Sequence, residues 1–121
     1  MAKLLLVEDD PSIRMMMGLR LRMKGFEVDE AENGKLGMEA ALKGEYDLVL
    51  MDMHMPVMDG YEATRGLRAE NFSGTIVAVT ASAMSEDTSL AITAGCNHFI
   101  AKPIGPDFEQ QIQQIIDDKA T

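Results

Sequence analysis

LVLMDMHMP, residues 48–56, is the stretch that decides the fold of this chain. Its first four residues form an uninterrupted apolar run, which is typical of a strand buried on both faces of a parallel sheet. The run ends in one carboxylate, Asp52, and Pro56 prevents the strand from continuing. Because open α/β sheets carry their chemistry at the carboxyl ends of the strands, we interpret Asp52 as a nucleophile that accepts a phosphoryl group.

Segments with the pattern of strands alternate with segments that have the pattern of helices. The other strands are predicted at residues 4–7, 26–31, 75–80 and 97–101. Helices are predicted from Pro11 to Gly25, from Gly34 to Gly44, and over residues 61–67, 81–94 and 107–117. In the first helix Asp10 is the predicted N-cap, and the predicted buried stripe is Ile13, Met16, Met17 and Leu21. This alternation predicts an α/β fold, a single domain over residues 1–121 whose five-stranded parallel sheet carries helices on both faces.

Composition and charge exclude several classes of function. The chain has 11 Lys and Arg against 20 Asp and Glu, and its net charge of −9 repels nucleic acid and anionic membranes while favouring metal ions and basic partners. Its single cysteine, Cys96, fits a reducing compartment, and we expect it to be a small core residue. No apolar run approaches membrane-spanning length. We therefore expect a cytoplasmic protein without nucleic-acid contact or membrane insertion.

Polar residues follow four of the predicted strands. Glu8 and Asp9 follow the first, Asp52 ends the third, Thr80 ends the fourth and Lys102 follows the fifth. Alone, each such residue is more often a helix cap or a solvated charge than a functional residue. Parallel strands, however, bring these residues to one edge of the sheet, where three carboxylates repel each other unless they share a cation. Oxygen ligands with room for water favour Mg²⁺.

The same set of groups suits phosphoryl transfer. A carboxylate is a competent nucleophile towards phosphorus, which supports the role given to Asp52. Transfer requires neutralisation of the charge on the phosphoryl oxygens, and the metal ion, the Lys102 ammonium and the Thr80 hydroxyl can each serve one oxygen. The residues therefore predict a phosphoacceptor site.

Four motifs resemble the receiver domain of two-component response regulators, in particular single-domain regulators of the chemotaxis type. They are LLVEDD at residues 5–10, VLMDMHMP at 49–56 with MDG at 58–60, VTA at 79–81 and FIAKP at 99–103. The resemblance implies that Asp52 is the phosphoacceptor and that Mg²⁺ is held by Asp9, by Asp52, by the main-chain carbonyl of His54 and, mostly through water, by Glu8. It also implies the strand order 2-1-3-4-5.

The resemblance also assigns the remaining site residues. Thr80 and Lys102 would contact the phosphoryl group, Phe99 would be the aromatic switch residue, and the Lys102–Pro103 peptide bond would be cis. His54 and Ala83, which follow Asp52 and Thr80 in the chain, would tune the lifetime of the phosphoryl group. The His54 imidazole itself is expected to face solvent or a partner. Core packing is expected to explain most of the methionines at residues 15–17.

The implied partners are a sensor histidine kinase or a histidine phosphotransfer protein, and a downstream protein that reads helix 4, strand 5 and helix 5. The chain would be a signalling switch that catalyses only its own phosphorylation and dephosphorylation, as a monomer or a weak phosphorylation-dependent dimer. Residues 55–65 resemble receivers attached to hybrid sensor kinases.

Three alternatives remain at this point. A flavodoxin-like cofactor carrier shares the topology, but it would need a phosphate cradle where this chain has acids. An aspartate-nucleophile phosphatase typically has a second acid two residues after the nucleophile, where this chain has His54. A receiver that binds partners without phosphorylation is the third.

Overall fold

A parallel sheet with helices on both faces forms the framework of the protein. The computed structural model describes residues 2–80 and 85–120. The elements, in chain order, are β1 (Lys3–Val7), α1 (Pro11–Met23), β2 (Glu27–Ala31), α2 (Gly34–Lys43), β3 (Leu48–Asp52), α3 (Gly60–Ala69), β4 (Ile76–Thr80), α4 (Ser85–Ala94), β5 (His98–Ala101) and α5 (Phe108–Ala120). All strand pairs are parallel and the strand order is β2-β1-β3-β4-β5, which confirms the predicted fold.

The sheet separates two apolar cores because successive side chains of a strand point to opposite faces. In β3, Val49 and Met51 pack with the core residues of α2, α3 and α4. Leu48 and Leu50 pack on the other side, with the core residues of α1 and α5. The three central strands are therefore apolar at consecutive positions. A buried polar side chain at the end of one of them has no apolar packing role and needs another explanation.

Polar side chains cap the N-termini of three helices at the carboxyl edge of the sheet. Asp10 accepts hydrogen bonds from the amides of Ser12 and Ile13 at 2.9 and 3.1 Å, as predicted, and Pro11 occupies the first helical position. Asn33 and Asp59 cap α2 and α3 in the same way. Asp10 and Asn33 keep the loops after β1 and β2 short, whereas the loop from β3 to α3 is longer, because Asp52 ends the strand and α3 begins only at Gly60.

Several boundaries differ slightly from those predicted. β2 begins at Glu27 rather than Phe26, α3 covers Gly60–Ala69, and α5 extends to Ala120. The first four residues of the predicted fourth helix, 81–84, lie outside the described part of the chain. The Lys102–Pro103 peptide bond is cis, as the resemblance implied. Within residues 2–80 and 85–120, no helix combines the length and hydrophobicity that crossing a bilayer requires.

The prediction for the methionines of α1 was wrong. Met17 is buried, but Met15 is 70% exposed and Met16 is 40% exposed. The buried stripe of α1 is therefore narrower than predicted, with Met17 and Leu21 fully buried and Ile13 partly covered. Methionine fits a core and a surface equally well by hydrophobicity alone, and only the rotation of α1 on the sheet decides which residues are covered.

Candidate phosphoacceptor site

The strand ends bring the candidate residues together. Asp52 lies beside Val79 in the register of β3 and β4, and Thr80 lies beside Ala101 in that of β4 and β5. Beyond the strand ends, the Met53 amide donates to the Val79 carbonyl at 3.0 Å and the Lys102 amide donates to the Thr80 carbonyl at 2.7 Å. Hydrogen bonds thus hold the backbone on both sides of the site and fix the positions from which the side chains extend.

Three carboxylates form one acidic cluster. One oxygen from each of Glu8, Asp9 and Asp52 lies within 4.8 Å of the oxygens of the other two. Glu8 is 1% exposed and Asp52 is 3% exposed, whereas Asp9 is half-buried and so lies at the mouth of the cluster. Water screens these charges poorly, and the cluster needs positive charge from another source.

The Lys102 ammonium supplies part of that charge. Its Nζ atom lies 2.5 Å from Glu8 Oε1 and 3.2 Å from Asp52 Oδ2. Burial raises the pKa of Glu8 above its ordinary value, and the neighbouring Asp52 raises it further. Burial opposes the charged form of Lys102, but Glu8 and Asp52 outweigh it and raise the Lys102 pKa.

The donor set fits a hard divalent cation. Three carboxylates against one ammonium leave the cluster negative when all are ionised. All three ligands offer oxygen, and the half-buried position of Asp9 leaves the cluster accessible from solvent. Mg²⁺ prefers oxygen ligands from one or two carboxylates and keeps several waters, so the residues present suit this ion.

The Asp52 carboxylate is held at both oxygens. Oδ1 accepts a hydrogen bond from the His54 amide at 3.2 Å, and Oδ2 faces the Lys102 ammonium. The His54 side chain is exposed, as predicted, and its ring meets the Tyr61 ring edge-on with the centroids 6.1 Å apart. His54 therefore meets Asp52 through its backbone, while its imidazole faces outward.

The other predicted site residues lie at different depths. Thr80 is buried at the end of β4. Phe99 lies on β5, one strand further along the sheet, and is 44% exposed. Ala83 lies outside the described residues. The structure thus gathers Glu8, Asp9, Asp52 and Lys102 into one cluster and leaves Phe99 on the outer face.

Two residues near the site were missed in the sequence. Arg14 donates from Nη1 to the Glu8 carbonyl at 2.8 Å. Gly60 lies so close to the end of β3 that a Cβ atom there would overlap the Asp52 carbonyl oxygen and lie 2.7 Å from Met53 Cα. The MDG motif at residues 58–60 pointed to a turn, but nothing in the pattern indicated either contact.

The family model that matches this chain describes the response regulator receiver domain and covers residues 4–117. The chain belongs to this family. The receiver is 41% identical over 111 residues to the two-component response regulator ORR41 of Oryza sativa subsp. japonica, a match that covers 88% of this chain and 87% of that protein. It is 35% identical over 104 residues to the sensor protein EvgS of Escherichia coli (strain K12), a match that covers 86% of this chain but only 9% of EvgS.

Solved structures agree with this membership. The chemotaxis protein CheY4 of Vibrio cholerae superimposes with a TM-score of 0.88 at 30% identity, covering 96% of this chain and 98% of CheY4. The receiver domain of the sensor histidine kinase PA1611 from Pseudomonas aeruginosa PAO1 superimposes with a TM-score of 0.85 at 36% identity, covering 97% and 95% of the two chains. That receiver holds a magnesium ion in its active-site cleft. The chain is thus a signalling module of two-component systems, and the cofactor-carrier and phosphatase alternatives fall away.

The raised pKa of Glu8 gives the metal-free receiver a specific pH dependence. The native state holds the Glu8 proton more tightly than the unfolded chain does, so this stabilisation is present below the unfolded pKa and is lost as pH rises through the folded pKa. The Glu8→Gln variant has no carboxyl group at this position, so it does not lose this stabilisation as the pH rises. In urea unfolding with a chelator present, we expect the free energy of unfolding of the variant, relative to wild type, to increase from pH 4 to pH 7. A difference that is constant or falls over this range would contradict the assigned shift.

Proposed function

We propose that the receiver is a phosphorylation-dependent switch whose phosphoacceptor is Asp52. The observation that carries this proposal is the environment of one carboxylate. Asp52 is buried at the end of β3, its Oδ2 lies 3.2 Å from the Lys102 ammonium, and it shares an acidic cluster with Glu8 and Asp9. A nucleophile for phosphoryl transfer needs nearby positive charge and a place for a cation, and this carboxylate has both.

In the proposed step, a carboxylate oxygen of Asp52 attacks the phosphorus of a phosphohistidine. The new P–O bond forms as the P–N bond breaks, and the imidazole nitrogen leaves with the electron pair and takes up a proton. Lys102 neutralises one phosphoryl oxygen, and the Thr80 hydroxyl donates a hydrogen bond to another. The Lys102 ammonium already lies 3.2 Å from Asp52 Oδ2, and a charge that is in place beforehand lowers the barrier without further reorganisation.

The proposed metal ligands are the carboxylates of Glu8, Asp9 and Asp52 and the main-chain carbonyl of His54. Asp9 and Asp52 would bind Mg²⁺ directly, and Glu8 mostly through water. When bound, Mg²⁺ neutralises charge on the transferring phosphoryl group. Without it, the chain's own residues bring the phosphoryl group against a cluster of like charge, and we therefore expect phosphorylation to require the ion.

The aspartyl phosphate carries close to two negative charges at the end of β3, where the Asp52 carboxylate carried one. We propose that Thr80 moves towards it and that Phe99, now 44% exposed, turns inward to fill the space. The face formed by α4, β5 and α5 would then change. That face carries a groove lined in part by exposed Ile92 together with Phe99 and Ile115, and it would be read by a downstream protein.

The remaining features of the proposal concern partners and kinetics. The phosphodonor would be a sensor histidine kinase or a histidine phosphotransfer protein, and the switch would act in the cytoplasm as a monomer or a weak phosphorylation-dependent dimer. His54 and Ala83 would tune the lifetime of the aspartyl phosphate. The exposed position of the His54 ring, two residues after Asp52, supports the first of these roles. The proposed domain covers residues 1–121.

The proposal is tested by Asp52→Asn. The wild-type receiver, incubated with acetyl phosphate and Mg²⁺, is expected to gain the mass of one phosphoryl group in intact mass spectrometry, and the variant is expected to gain none. The amide keeps the size of the carboxylate and one acceptor oxygen but is not a nucleophile towards phosphorus.

Asp47→Asn is the matched control. It makes the same chemical change just before β3, where the Asp47 side chain accepts from the Lys3 amide at 2.8 Å, and it should leave uptake unchanged. Full uptake by Asp52→Asn, or none by the wild type with Mg²⁺ present, would rule out Asp52 as the phosphoacceptor.

A further inference from the structure

The peptide unit between Glu8 and Asp9 lies just beyond the end of a strand. β1 ends at Val7, so the two acidic residues lie beyond the regular hydrogen-bonding ladder of the sheet. The Glu8 amide still donates to the Ala31 carbonyl of β2 at 3.1 Å. The Glu8 carbonyl needs a different partner, since a buried carbonyl without one costs stability.

Arg14 of α1 provides that partner. Its Nη1 atom donates to the Glu8 carbonyl at 2.8 Å, a charge-assisted hydrogen bond. Its side chain is only 19% exposed, and its Nε atom lies 3.4 Å from Glu30 Oε1 on β2. One planar guanidinium therefore connects the peptide unit that precedes Asp9 to a fixed acid on the neighbouring strand.

The Glu30 carboxylate is fixed in turn by a second arginine. Arg22 Nη2 donates to Glu30 Oε2 at 2.8 Å and to the Val28 carbonyl at 2.9 Å. Gly18 lies between the two arginines on the same face of α1, and a Cβ atom there would lie 3.0 Å from Glu30 Oε2 and 3.1 Å from Arg22 Nη1. A glycine inside a helix costs roughly 0.5–1 kcal/mol relative to alanine, and here it leaves room for the Glu30 and Arg22 pair.

We propose that Arg14 is a positioning residue for the metal site. By holding the carbonyl between Glu8 and Asp9, it fixes the plane of that peptide and hence the direction in which both carboxylates leave the backbone. The charge of Arg14 by itself disfavours a nearby cation, so weaker Mg²⁺ binding without Arg14 would reflect the lost hydrogen bond and not the lost charge. This inference rests on the proposed binding of Mg²⁺ by Glu8, Asp9 and Asp52.

The test compares Arg14→Met with Arg22→Met. Both variants remove an arginine that pairs with Glu30, but only the first loses the contact with the Glu8 carbonyl. In isothermal titration calorimetry with Mg²⁺ alone, Arg14→Met is expected to bind roughly tenfold more weakly than wild type, in line with the loss of other groups that orient metal ligands. Arg22→Met is expected to stay within about twofold, since Arg14 still contacts Glu30 and Glu8.

Two further variants separate positioning from a general loss of structure. Arg14→Lys keeps the charge, but one ammonium replaces the two guanidinium nitrogens that contact Glu8 and Glu30, so we expect an intermediate affinity. Glu30→Gln leaves Arg14 in place without its ionic partner and is also expected to be intermediate. Urea unfolding reports the stability of all four variants, and it serves to exclude from the affinity comparison any variant that does not fold.

Wild-type affinity in both Arg14 variants, or equal weakening in Arg14→Met and Arg22→Met, would overturn the positioning role. If Arg14→Met does not fold, Arg14→Lys against Arg22→Met decides in the same way. A wild-type receiver that binds no Mg²⁺ in the calorimeter would instead refute the proposed metal site itself. The failure of this inference and the failure of the proposed function are therefore distinguishable.

Discussion

Replacing Lys102 with methionine is expected to slow phosphoryl transfer from acetyl phosphate to Asp52 by roughly a hundredfold or more, the cost of removing one preorganised charge-stabilising donor from an active site. Methionine retains most of the length and apolar volume of lysine but removes the ammonium that lies 2.5 Å from Glu8 and 3.2 Å from Asp52. The second-order rate constant is measured by intact mass spectrometry at saturating Mg²⁺.

Two variants control this experiment. Lys43→Met makes the same substitution at the exposed last residue of α2 and should leave the rate unchanged. Lys102→Arg keeps a positive charge but changes its shape to a planar fork, and it should restore part of the rate. If Lys102→Met is phosphorylated at the wild-type rate, the ammonium does not neutralise charge on the transferring phosphoryl group.

Gly60→Ala is expected to have the largest effect on stability, a loss of about 3 kcal/mol in the free energy of unfolding, at the upper end of overpacking costs. The added Cβ would overlap the Asp52 carbonyl oxygen and lie 2.7 Å from Met53 Cα, and a rigid backbone cannot move aside as a side-chain tip can. The start of α3 would have to shift away from the end of β3. Urea unfolding measures the loss, and phosphoryl uptake is expected to fall as well.

Gly66→Ala provides a control within the same helix. Its Cβ would meet only Met38, at 2.8 Å from Sδ and 3.0 Å from Cε, which form the flexible end of a side chain. A gain in helix propensity of up to about 1 kcal/mol offsets the displacement, so we expect a change close to zero. Equal stability losses in Gly60→Ala and Gly66→Ala would show that contact with the β3 backbone is not the cause.

The candidate site was largely readable from the chain because its residues are tied to strand ends. A continuous apolar run, such as residues 48–51, marks a buried parallel strand, and the residue that follows it lies at the functional edge whatever the surrounding packing. Asp52, Thr80 and Lys102 could therefore be placed on that edge from the amino-acid sequence. The cap Asp10 was also visible, since capping depends on local spacing.

Contacts between elements that are distant in sequence could not be predicted in this way. The pattern did not show that Lys102 approaches Glu8 more closely than Asp52, because side-chain distances across the cluster depend on how β1, β3 and β5 twist relative to each other. Met16 was predicted to belong to the buried stripe of α1 and is 40% exposed, since its neighbours along α1 do not determine the rotation of the helix on the sheet.

The sequence by itself determined the order of strands and helices, the apolar faces of the sheet and the residues at its carboxyl edge. These features arise from local periodicity and from the direction that parallel strands share. The tertiary structure alone decided that Arg14 holds the Glu8 carbonyl and that only a glycine fits at residue 60. Both contacts join a helix to the end of a strand, and their geometry exists only once the helices have packed onto the sheet.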